Sequence, residues 1–287
     1  MRVRHVKVAE QNEQSFRITR EVVPYFYNPL HFHTEVELTY ILQSHGTAFI
    51  GDFIGTFQPG DVFLLGEKLP HNFKNASAFF AKDSNLNAEA LVFHFDHNFL
   101  GADLWTKPEM KEITGLLREA RKGILLAGET RTVIQNMMKD LVNLSQVNRL
   151  LSLIQILDVI STSTEKKILS TSLPSASFSN ADAEKLNKIN SYTMMHYRTK
   201  VPLKTIASVV NMNPSAFCRY FKLRTKRSFS QFVIELRLQQ ATNMLIESTL
   251  TIDRISHECG FESPSYFYRT FKRYKGITPA AYQKRLR

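Results

Sequence analysis

The stretch that decides the fold of the C-terminal part is Gly260–Tyr282, which reads GFESPSYFYRTFKRYKGITPAAY. Gly260 can turn the chain at positive φ, and Ser263-Pro264 combines a helix N-cap with a proline suited to the first helical position. In the helix that follows, Phe267 and Phe271 fall on one face, which we expect to be buried. A second face of this helix is polar and basic. The stretch therefore predicts the turn and the second helix of a helix-turn-helix unit.

An earlier copy of the same pattern lies upstream. Leu203–Lys222, LKTIASVVNMNPSAFCRYFK, matches Ile252–Lys272, IDRISHECGFESPSYFYRTFK, with one extra residue in the second copy. Asn213-Pro214 provides the cap of the first copy, and Phe229–Ile246, between the copies, has the apolar periodicity of an amphipathic helix. The predicted core includes Phe217, Phe221, Phe267 and Phe271. The sequence therefore predicts two helix-turn-helix units held apart by one helix.

The positive charge of the chain is concentrated in this repeated part. The 287 residues carry 37 Lys and Arg against 26 Asp and Glu, a formal net charge of +11. From Ala181 onward the counts are 19 against 7, whereas the residues before Ala181 have 18 against 19. Such a module neutralises nucleic-acid phosphates or lies on anionic lipid. Short capped helices with a cationic outward face fit the major groove of DNA, where Arg can bond guanine.

The repeated part resembles the DNA-binding domain of the AraC/XylS transcription regulators over about Leu186–Leu286. The resemblance rests on RLQQATNMLIESTLTIDRISHECG, followed by the pattern GF-x-S-x-x-YF-x-R-x-FK-x-x-x-G-x-TP-x-x-Y. It implies that exposed positions after each helix cap read bases, namely Ser215, Cys218, Arg219, Ser265, Tyr268 and Arg269. Phosphate contacts are expected from Lys222, Lys272 and Arg273. The first copy departs from the pattern at Lys226, where the second copy has Gly276.

Residues 1–105 have the pattern of β-structure. Strand-like runs occur at Val36–Leu42, Thr47–Ile50, Ile54–Phe57 and Val62–Leu65, and turn residues such as Pro59-Gly60-Asp61 separate them. Short strands at this spacing are typical of a sandwich or a barrel.

A histidine-rich motif lies within this β-region. His31, His33 and Glu37 form HxHxxxE, and their even separations would turn all three side chains to one face of an extended strand. His71 follows Gly60 in the pattern G-x(10)-H. The two motifs resemble those of the cupin barrel. In metal-binding cupins the corresponding residues form a site of three histidines and one carboxylate.

Three interpretations of this quartet remain open. Its side chains contact an organic effector, as expected of the sensory cupins in this regulator family, or they hold Zn, Fe, Mn or Ni, or they stabilise hairpins. We assign His31, His33, Glu37 and His71 to effector binding, and we assign no metal, cofactor or catalytic residue. The second motif departs from its usual form at Gly66 and Lys68. His94 and His97 could add donors, although a structural role suits their strand-to-loop context equally well.

Residues 106–162 change to a helical pattern with two apolar stripes. One stripe contains Val133, Met137, Leu141 and Leu144, and the other contains Leu150, Leu153, Ile154, Leu157 and Ile160. These helices either cover the barrel or, as the resemblance implies, join two subunits. The predicted fold class is α+β multidomain. We predict a cupin-like sensor barrel at 1–105, a helical dimerisation or packing segment at 106–162, a Ser/Thr-rich linker at 163–182 and an all-α double helix-turn-helix domain at 183–287.

Composition excludes several classes of protein. No run approaches the roughly 18 apolar residues of a membrane span, and the start MRVRHVK has no apolar signal region. The two cysteines, Cys218 and Cys259, are too few and too far apart for a disulfide scaffold or an all-cysteine metal site. We therefore expect a cytoplasmic protein with no membrane partner.

The predicted function is sequence-specific regulation of transcription. We expect double-stranded DNA as a partner and a small-molecule effector, for example a sugar, in the cupin domain. The family resemblance further implies activation through RNA polymerase and a homodimer. An alternative from another class is a metal-dependent cupin oxygenase or isomerase that carries a nucleic-acid-binding module.

Overall fold

The computed structural model describes residues 16–81, 83–171, 173 and 179–286. They form two compact units, with the main division in sequence between Ala183 and Glu184. The start of the chain and residues 172 and 174–178 of the expected linker lie outside the described residues. Among the described helices, none combines the length and the apolar character that crossing a membrane requires.

The N-terminal unit is built mainly from antiparallel strands. They are β1 Phe16–Val23, β2 Val36–Gln43, β3 Gly46–Ile50, β4 Phe53–Phe57, β5 Val62–Leu65, β6 His71–Asn75, β7 Ala88–Phe95, β8 Ile124–Leu126 and β9 Lys166–Ile168. One sheet has six strands in the order β1-β7-β2-β5-β8-β9, and the other has the order β4-β3-β6. This arrangement is compatible with a barrel-like domain, and the four predicted strand runs all lie in β2 to β5.

Helices cover the six-stranded sheet on one side. A short 3-10 helix at Ser77–Phe80 follows β6. The helices on the six-stranded sheet are α1 Lys111–Ala120, α2 Gly128–Leu141 and α3 Gln146–Thr162, together with short 3-10 helices at Leu104–Thr106 and Pro108–Met110. Because side chains alternate along a strand, Leu38 of β2 packs in the core that contains these helices, whereas Ile41 packs in a second core with Ala48 and Ile50 of β3. The face of β2 that carries Ile41 also carries Glu37.

Two parts of the helical prediction need correction. In α2 the buried side chains are Ile134, Met138 and Leu141, while Val133 is 38% exposed. The predicted set of buried residues in α2 and the observed set both include Leu141 at helical spacing. Periodicity alone could therefore not choose between them. In addition, β8 and β9 pair with each other inside segments that were expected to be helical and linker. These strands are only three residues long, and their pairing is non-local.

The C-terminal unit is entirely helical in its described residues. Its helices are α4 Asn180–His196, α5 Leu203–Val209, α6 Pro214–Thr225, α7 Phe229–Glu247, α8 Ile252–Glu258, α9 Pro264–Lys275 and α10 Pro279–Leu286. The predicted connecting helix is confirmed as α7, which begins with a capping box formed by Ser228 and Gln231. The phenylalanines Phe217, Phe221, Phe267 and Phe271 are all fully buried, as predicted.

Candidate DNA-binding surface and ligand cavity

Two helix-turn-helix units are present, α5 with α6 and α8 with α9. Asn213 Oδ1 accepts a hydrogen bond from the Ala216 amide at 2.8 Å, and Ser263 Oγ accepts one from the Tyr266 amide at 3.3 Å. Each cap is followed by a proline at the start of the helix. The caps satisfy amide groups that the first helical turn leaves without partners. Local sequence therefore fixes where α6 and α9 begin.

The outward faces of α6 and α9 carry the residues that the sequence assigned to DNA. Among the six positions expected to read bases, five are exposed and Tyr268 is half-buried. The Tyr268 ring lies 5.9 Å from the Phe267 ring and packs partly against the core of the second unit. Lys222, Lys272 and Arg273, expected to contact phosphates, are exposed. A surface with exposed guanidinium and ammonium groups on two short helices has the chemistry for phosphate and guanine contacts.

The second site is a cavity of about 280 Å³ in the N-terminal unit. Its polar wall is a histidine cluster that consists of His31, His33, Glu37, His71 and His94. Glu37 of β2 and His94 of β7 are direct cross-strand neighbours, and His71 begins β6. His31 joins the cluster through a backbone bridge to His71, with N–O distances of 3.1 and 2.9 Å.

The structure brings the predicted quartet together by a different route from the one expected. A single extended strand was expected to carry His31, His33 and Glu37, but β2 begins only at Val36. The two histidines therefore come from the segment before the strand. They converge on Glu37 because the bridge between His31 and His71 holds this segment against β6.

The cluster centres on one carboxylate oxygen. Glu37 Oε2 lies 3.1 Å from His33 Nε2, 3.3 Å from His71 Nε2 and 3.1 Å from His94 Nε2. The other oxygen, Oε1, accepts a hydrogen bond from the Thr39 hydroxyl. Candidate ligand atoms of His31, His33, Glu37 and His71 all lie within 4.8 Å of one another. Buried polar side chains require hydrogen-bond partners, and the side chains of this cluster provide most of these partners for one another.

Three of the imidazoles have their proton position fixed by the backbone. The Nδ1 atom of His31 lies 2.9 Å from Pro29 O, that of His33 lies 2.9 Å from Glu35 O, and that of His71 lies 2.8 Å from Leu69 O. A carbonyl oxygen only accepts, so each of these Nδ1 atoms must carry a hydrogen. In a neutral ring the single proton is then used, and Nε2 presents a lone pair to the centre of the cluster.

Burial and neighbouring charges set the ionisation of the cluster. Burial, together with the charge of His71, lowers the pKa of His31 to about 3, so this ring is neutral near neutral pH. Burial alone would raise the pKa of Glu37, but the charge of His71 and hydrogen bonds from the surrounding imidazoles hold it well below its usual range. Burial, followed by the charge of Glu37, raises the pKa of Glu21 on the cavity wall. Burial alone would lower the pKa of His33, but its hydrogen bond to Glu37 and the charge of Glu37 raise it. The cluster therefore contains a buried carboxylate whose charge either a proton on a neighbouring imidazole or a cation can offset.

A metal ion fits this arrangement of donors. If His33 and His71 are neutral, the Nε2 lone pair of each ring points at Glu37 Oε2. Both atoms of each pair are then hydrogen-bond acceptors, and this contact is unfavourable unless a proton or a cation lies between them. Ligating histidines in metal sites characteristically donate their other ring N–H to a backbone carbonyl, as His31, His33 and His71 do. The donor set of three imidazoles and one carboxylate suits Zn, Fe, Mn or Ni.

Sequence reasoning undervalued His94. It weighed a structural role for this residue at least as heavily as a donor role, but the structure places its ring against Glu37. The signal was the alternation of Phe93-His94-Phe95, because both phenylalanines are fully buried and His94 must face the opposite side of β7. The pairing of β7 with β2 was not visible in the sequence. His97 lies outside the cluster, with its Nδ1 3.5 Å from Glu67.

The C-terminal part of the chain is similar to a known family of domains. A family model described as a helix-turn-helix domain matches residues 206–285. The HTH-type transcriptional regulator GadX of Escherichia coli (strain K12) is 39% identical over 84 residues, which cover 29% of this chain and 30% of GadX. The uncharacterized HTH-type transcriptional regulator YdeC of Bacillus subtilis (strain 168) is 28% identical over 102 residues, which cover 36% of this chain and 35% of YdeC. The chain thus spans about a third of the length of these curated relatives.

A solved structure is also similar to a part of this chain. The DNA-binding domain of AdpA, described as a global transcriptional factor in complex with a target DNA, has 29% sequence identity and a TM-score of 0.33. The match covers 35% of this chain and 90% of that domain. The two capped helix-turn-helix units lie almost entirely within the residues that the family model matches. The comparisons thus confirm that the C-terminal part of this chain resembles the helix-turn-helix domain of AraC/XylS-type transcription regulators.

Proposed function

We propose that the chain is a sequence-specific DNA-binding transcription regulator whose N-terminal cavity binds a controlling ligand. The observation that carries the proposal is the pair of capped helix-turn-helix units with basic outward faces, within the residues that match the family model. Each unit would place one short helix in the major groove, so one chain would read a site with two parts, about one helical turn apart. Arg219 and Arg269 would supply most of the base discrimination.

The cavity would act as the sensor. A ligand that binds two arrangements of the sensor with different affinity shifts their populations, and this shift would change how the DNA-binding domain engages its site. We include in the proposal that the regulator works as a homodimer in the cytoplasm and activates transcription through RNA polymerase, as its family resemblance implies. In the simplest form of the sensor, His31, His33, Glu37 and His71 would contact the effector directly.

The tautomers of the cluster favour a metal-assisted form of this sensor. His31, His33, His71 and Glu37 would hold a divalent transition-metal ion. Such an ion would supply Lewis acidity and open coordination positions for an organic ligand. Around it, the protein's own groups would orient that ligand: Arg17 offers a cation on the cavity wall, and Phe26 and Phe73 offer apolar surface.

Selection of bound genomic fragments tests the proposed function. Purified full-length chain is mixed with sheared genomic DNA from its source, and retained fragments are sequenced. The proposal expects a few fragments to be strongly enriched and to share a two-part motif. The genes beside them would indicate the class of effector. Uniform recovery of all fragments, equal to that of an Arg219→Ala/Arg269→Ala double variant, would remove the proposal.

A metal-dependent enzyme is the second candidate, and the histidine cluster is the observation that favours it. Metal analysis of the purified chain, followed by His33→Ala, distinguishes the two functions. Stoichiometric metal together with a turnover that is lost in the variant would favour catalysis. DNA binding that responds to the ligand, without turnover, would favour regulation.

A further inference from the structure

We propose that His94 is a positioning residue for Glu37, and that it acts as a hydrogen-bond donor to this carboxylate while His31, His33 and His71 coordinate a metal ion. The inference rests on the metal-assisted form of the proposed function. It assigns to the four histidines two different roles, three as ligands and one as an organiser of the fourth ligand. The cupin-like motifs contain no counterpart of His94.

The first argument is the position of the ring protons. In His31, His33 and His71 the proton of the neutral ring lies on Nδ1, because each Nδ1 faces a backbone carbonyl. Nδ1 of His94 is buried and has no hydrogen-bond partner among the described residues. A neutral His94 can therefore carry its proton on Nε2 and donate it to Glu37 Oε2, 3.1 Å away. Of the four rings, this one can make that bond without becoming an imidazolium.

The second argument is how His94 is held. It pairs directly with Glu37 across β2 and β7, and with Arg17 across β1 and β7. Phe93 and Phe95, the residues on either side, are at most 1% exposed and anchor the strand on its opposite face. Neighbouring strands on both sides thus fix the backbone at His94, and so does the packed core on the opposite face of β7. A donor on such a rigid support can define the orientation of its acceptor.

The third argument concerns the two oxygens of Glu37. The Thr39 hydroxyl donates to Oε1, and His94 would donate to Oε2. A carboxylate oxygen has two lone pairs, so each oxygen keeps one for another partner. Two donors on different strand positions would hold the carboxylate plane and aim a remaining lone pair of Oε2 at the ion between the three imidazoles. Removing the His94 donor would leave Glu37 held from one side.

Cobalt binding by the purified full-length chain tests this role. Co²⁺ is titrated into wild type, His94→Leu, His94→Gln and His33→Gln, and the visible absorption bands report both affinity and ligand geometry. In glutamine the side-chain N–H₂ lies near the position of a histidine Nε2, so His94→Gln keeps a donor that His94→Leu lacks. We expect His94→Leu to weaken Co²⁺ binding about 10- to 100-fold. We expect His94→Gln to restore most of the affinity, with the band positions of wild type.

Each other outcome overturns the proposal in a distinct way. Equal affinity of wild type and His94→Leu would make His94 merely structural. A band shift in His94→Gln as large as that in His33→Gln would make His94 a ligand. Circular dichroism of each variant without metal shows whether it is folded. If His94→Leu does not fold, Co²⁺ affinity is compared between His94→Gln and His94→Asn, whose donor groups lie at different distances from the backbone. If wild type takes up no Co²⁺, the metal and this role both fail, while DNA binding by the same preparation tests the proposed function separately.

Discussion

The two helix-turn-helix units have the same framework but differ in how they turn the chain. Both α6 and α9 are twelve residues long, start with an N-cap and a proline, and end with a residue in the left-handed region. In the second unit the two positive φ values belong to Gly260 and Gly276. In the first they belong to Asn211, with φ 56°, and Lys226, with φ 59°. The first unit thus adopts the backbone geometry of the second without glycine, with Asn211 tolerating the left-handed region and Lys226 strained in it.

The two glycines of the second unit are themselves unequal. A Cβ built on Gly260 would lie 2.5 Å from the Arg198 carbonyl oxygen and 2.7 Å from that of Tyr197, whereas one built on Gly276 would meet nothing within 4 Å. Gly260 is therefore required both by its φ and by a close approach of backbone. Gly276 is required only by its φ. The helix cap therefore tolerates a side chain, as Lys226 demonstrates, whereas the turn of the second unit leaves no room for one.

The largest expected effect is that of Gly260→Ala. Left-handed strain and a clash with two backbone carbonyls should together lower the free energy of unfolding of the C-terminal unit by about 3 kcal/mol. Urea denaturation followed by far-UV circular dichroism measures the loss. Fluorescence of Trp105, the one tryptophan in the chain, monitors the N-terminal unit in the same samples. Gly276→Ala is the matched control and should cost about 1 kcal/mol. Equal losses for the two variants would contradict the distinction between turn and cap.

Base discrimination should differ between the units. Ser215 and Cys218 are short side chains, so Arg219 is expected to supply most of the reading by the first unit, whereas Tyr268 supports Arg269 in the second. Arg219→Ala and Arg269→Ala should each lose about 1 to 3 kcal/mol of discrimination at their own base pair. Competition gel shifts with matched and singly substituted duplexes measure this quantity. We expect Arg219→Ala to leave its half of the site almost unread, and Arg269→Ala to leave a weaker preference. The same loss on matched and scrambled DNA would show that neither arginine reads bases.

A substitution at the C-terminal cap of α6, Lys226, should stabilise the first unit. Lys226→Gly removes the left-handed strain of a side chain at φ 59° and should stabilise the C-terminal unit by about 1 kcal/mol. Thermal unfolding of the full chain, followed by circular dichroism, would detect the change. Lys226→Ala serves as control, because it removes the same charge but keeps a Cβ. If both variants shift the midpoint equally, the effect comes from charge and the two caps are equivalent.

The smallest effect is expected from Lys272, on the exposed face of α9. Lys272→Ala should weaken all duplex sequences alike, and the slope of log affinity against log salt should fall by about 1, because one phosphate contact is lost. Fluorescence anisotropy at several salt concentrations measures both quantities. Lys222→Ala makes the same comparison in the first unit. A loss confined to one base sequence would instead make Lys272 a base reader.

The parts of the fold that sequence predicted are those that local chemistry fixes. The caps Asn213 and Ser263, the turn at Gly260 and the helix α7 depend on residues within one or two helical turns, so their patterns carry enough information. The parts that it missed depend on contacts between distant segments. The strands β8 and β9, the choice between Val133 and Ile134 as the buried residue of α2, and the pairing of His94 with Glu37 are decided by packing against elements far away in sequence.

The cavity shows the same limit within a single site. The motifs HxHxxxE and G-x(10)-H predicted which residues meet, and His31, His33, Glu37 and His71 do converge. The expected reason, a common strand face, was wrong, because a bridge to β6 brings the histidines in instead. Backbone carbonyls at Pro29, Glu35 and Leu69 fix the tautomers, and no side-chain motif encodes them. The tautomers that favour a metal ion over the other interpretations of the quartet therefore depend on the fold rather than on the motif.

The most direct test of the central claim, that the two units read duplex DNA together, is an affinity measurement on one selected site. Anisotropy titrations compare wild type with the Arg219→Ala/Arg269→Ala double variant on the selected duplex and on a scrambled duplex of the same length. Wild type should prefer the selected duplex by at least about 10³-fold, in the usual range of about 10³–10⁷ for specific binding. The double variant should bind both duplexes nearly equally. Equal binding of the two duplexes by wild type, or full preference retained by the double variant, would contradict the central claim.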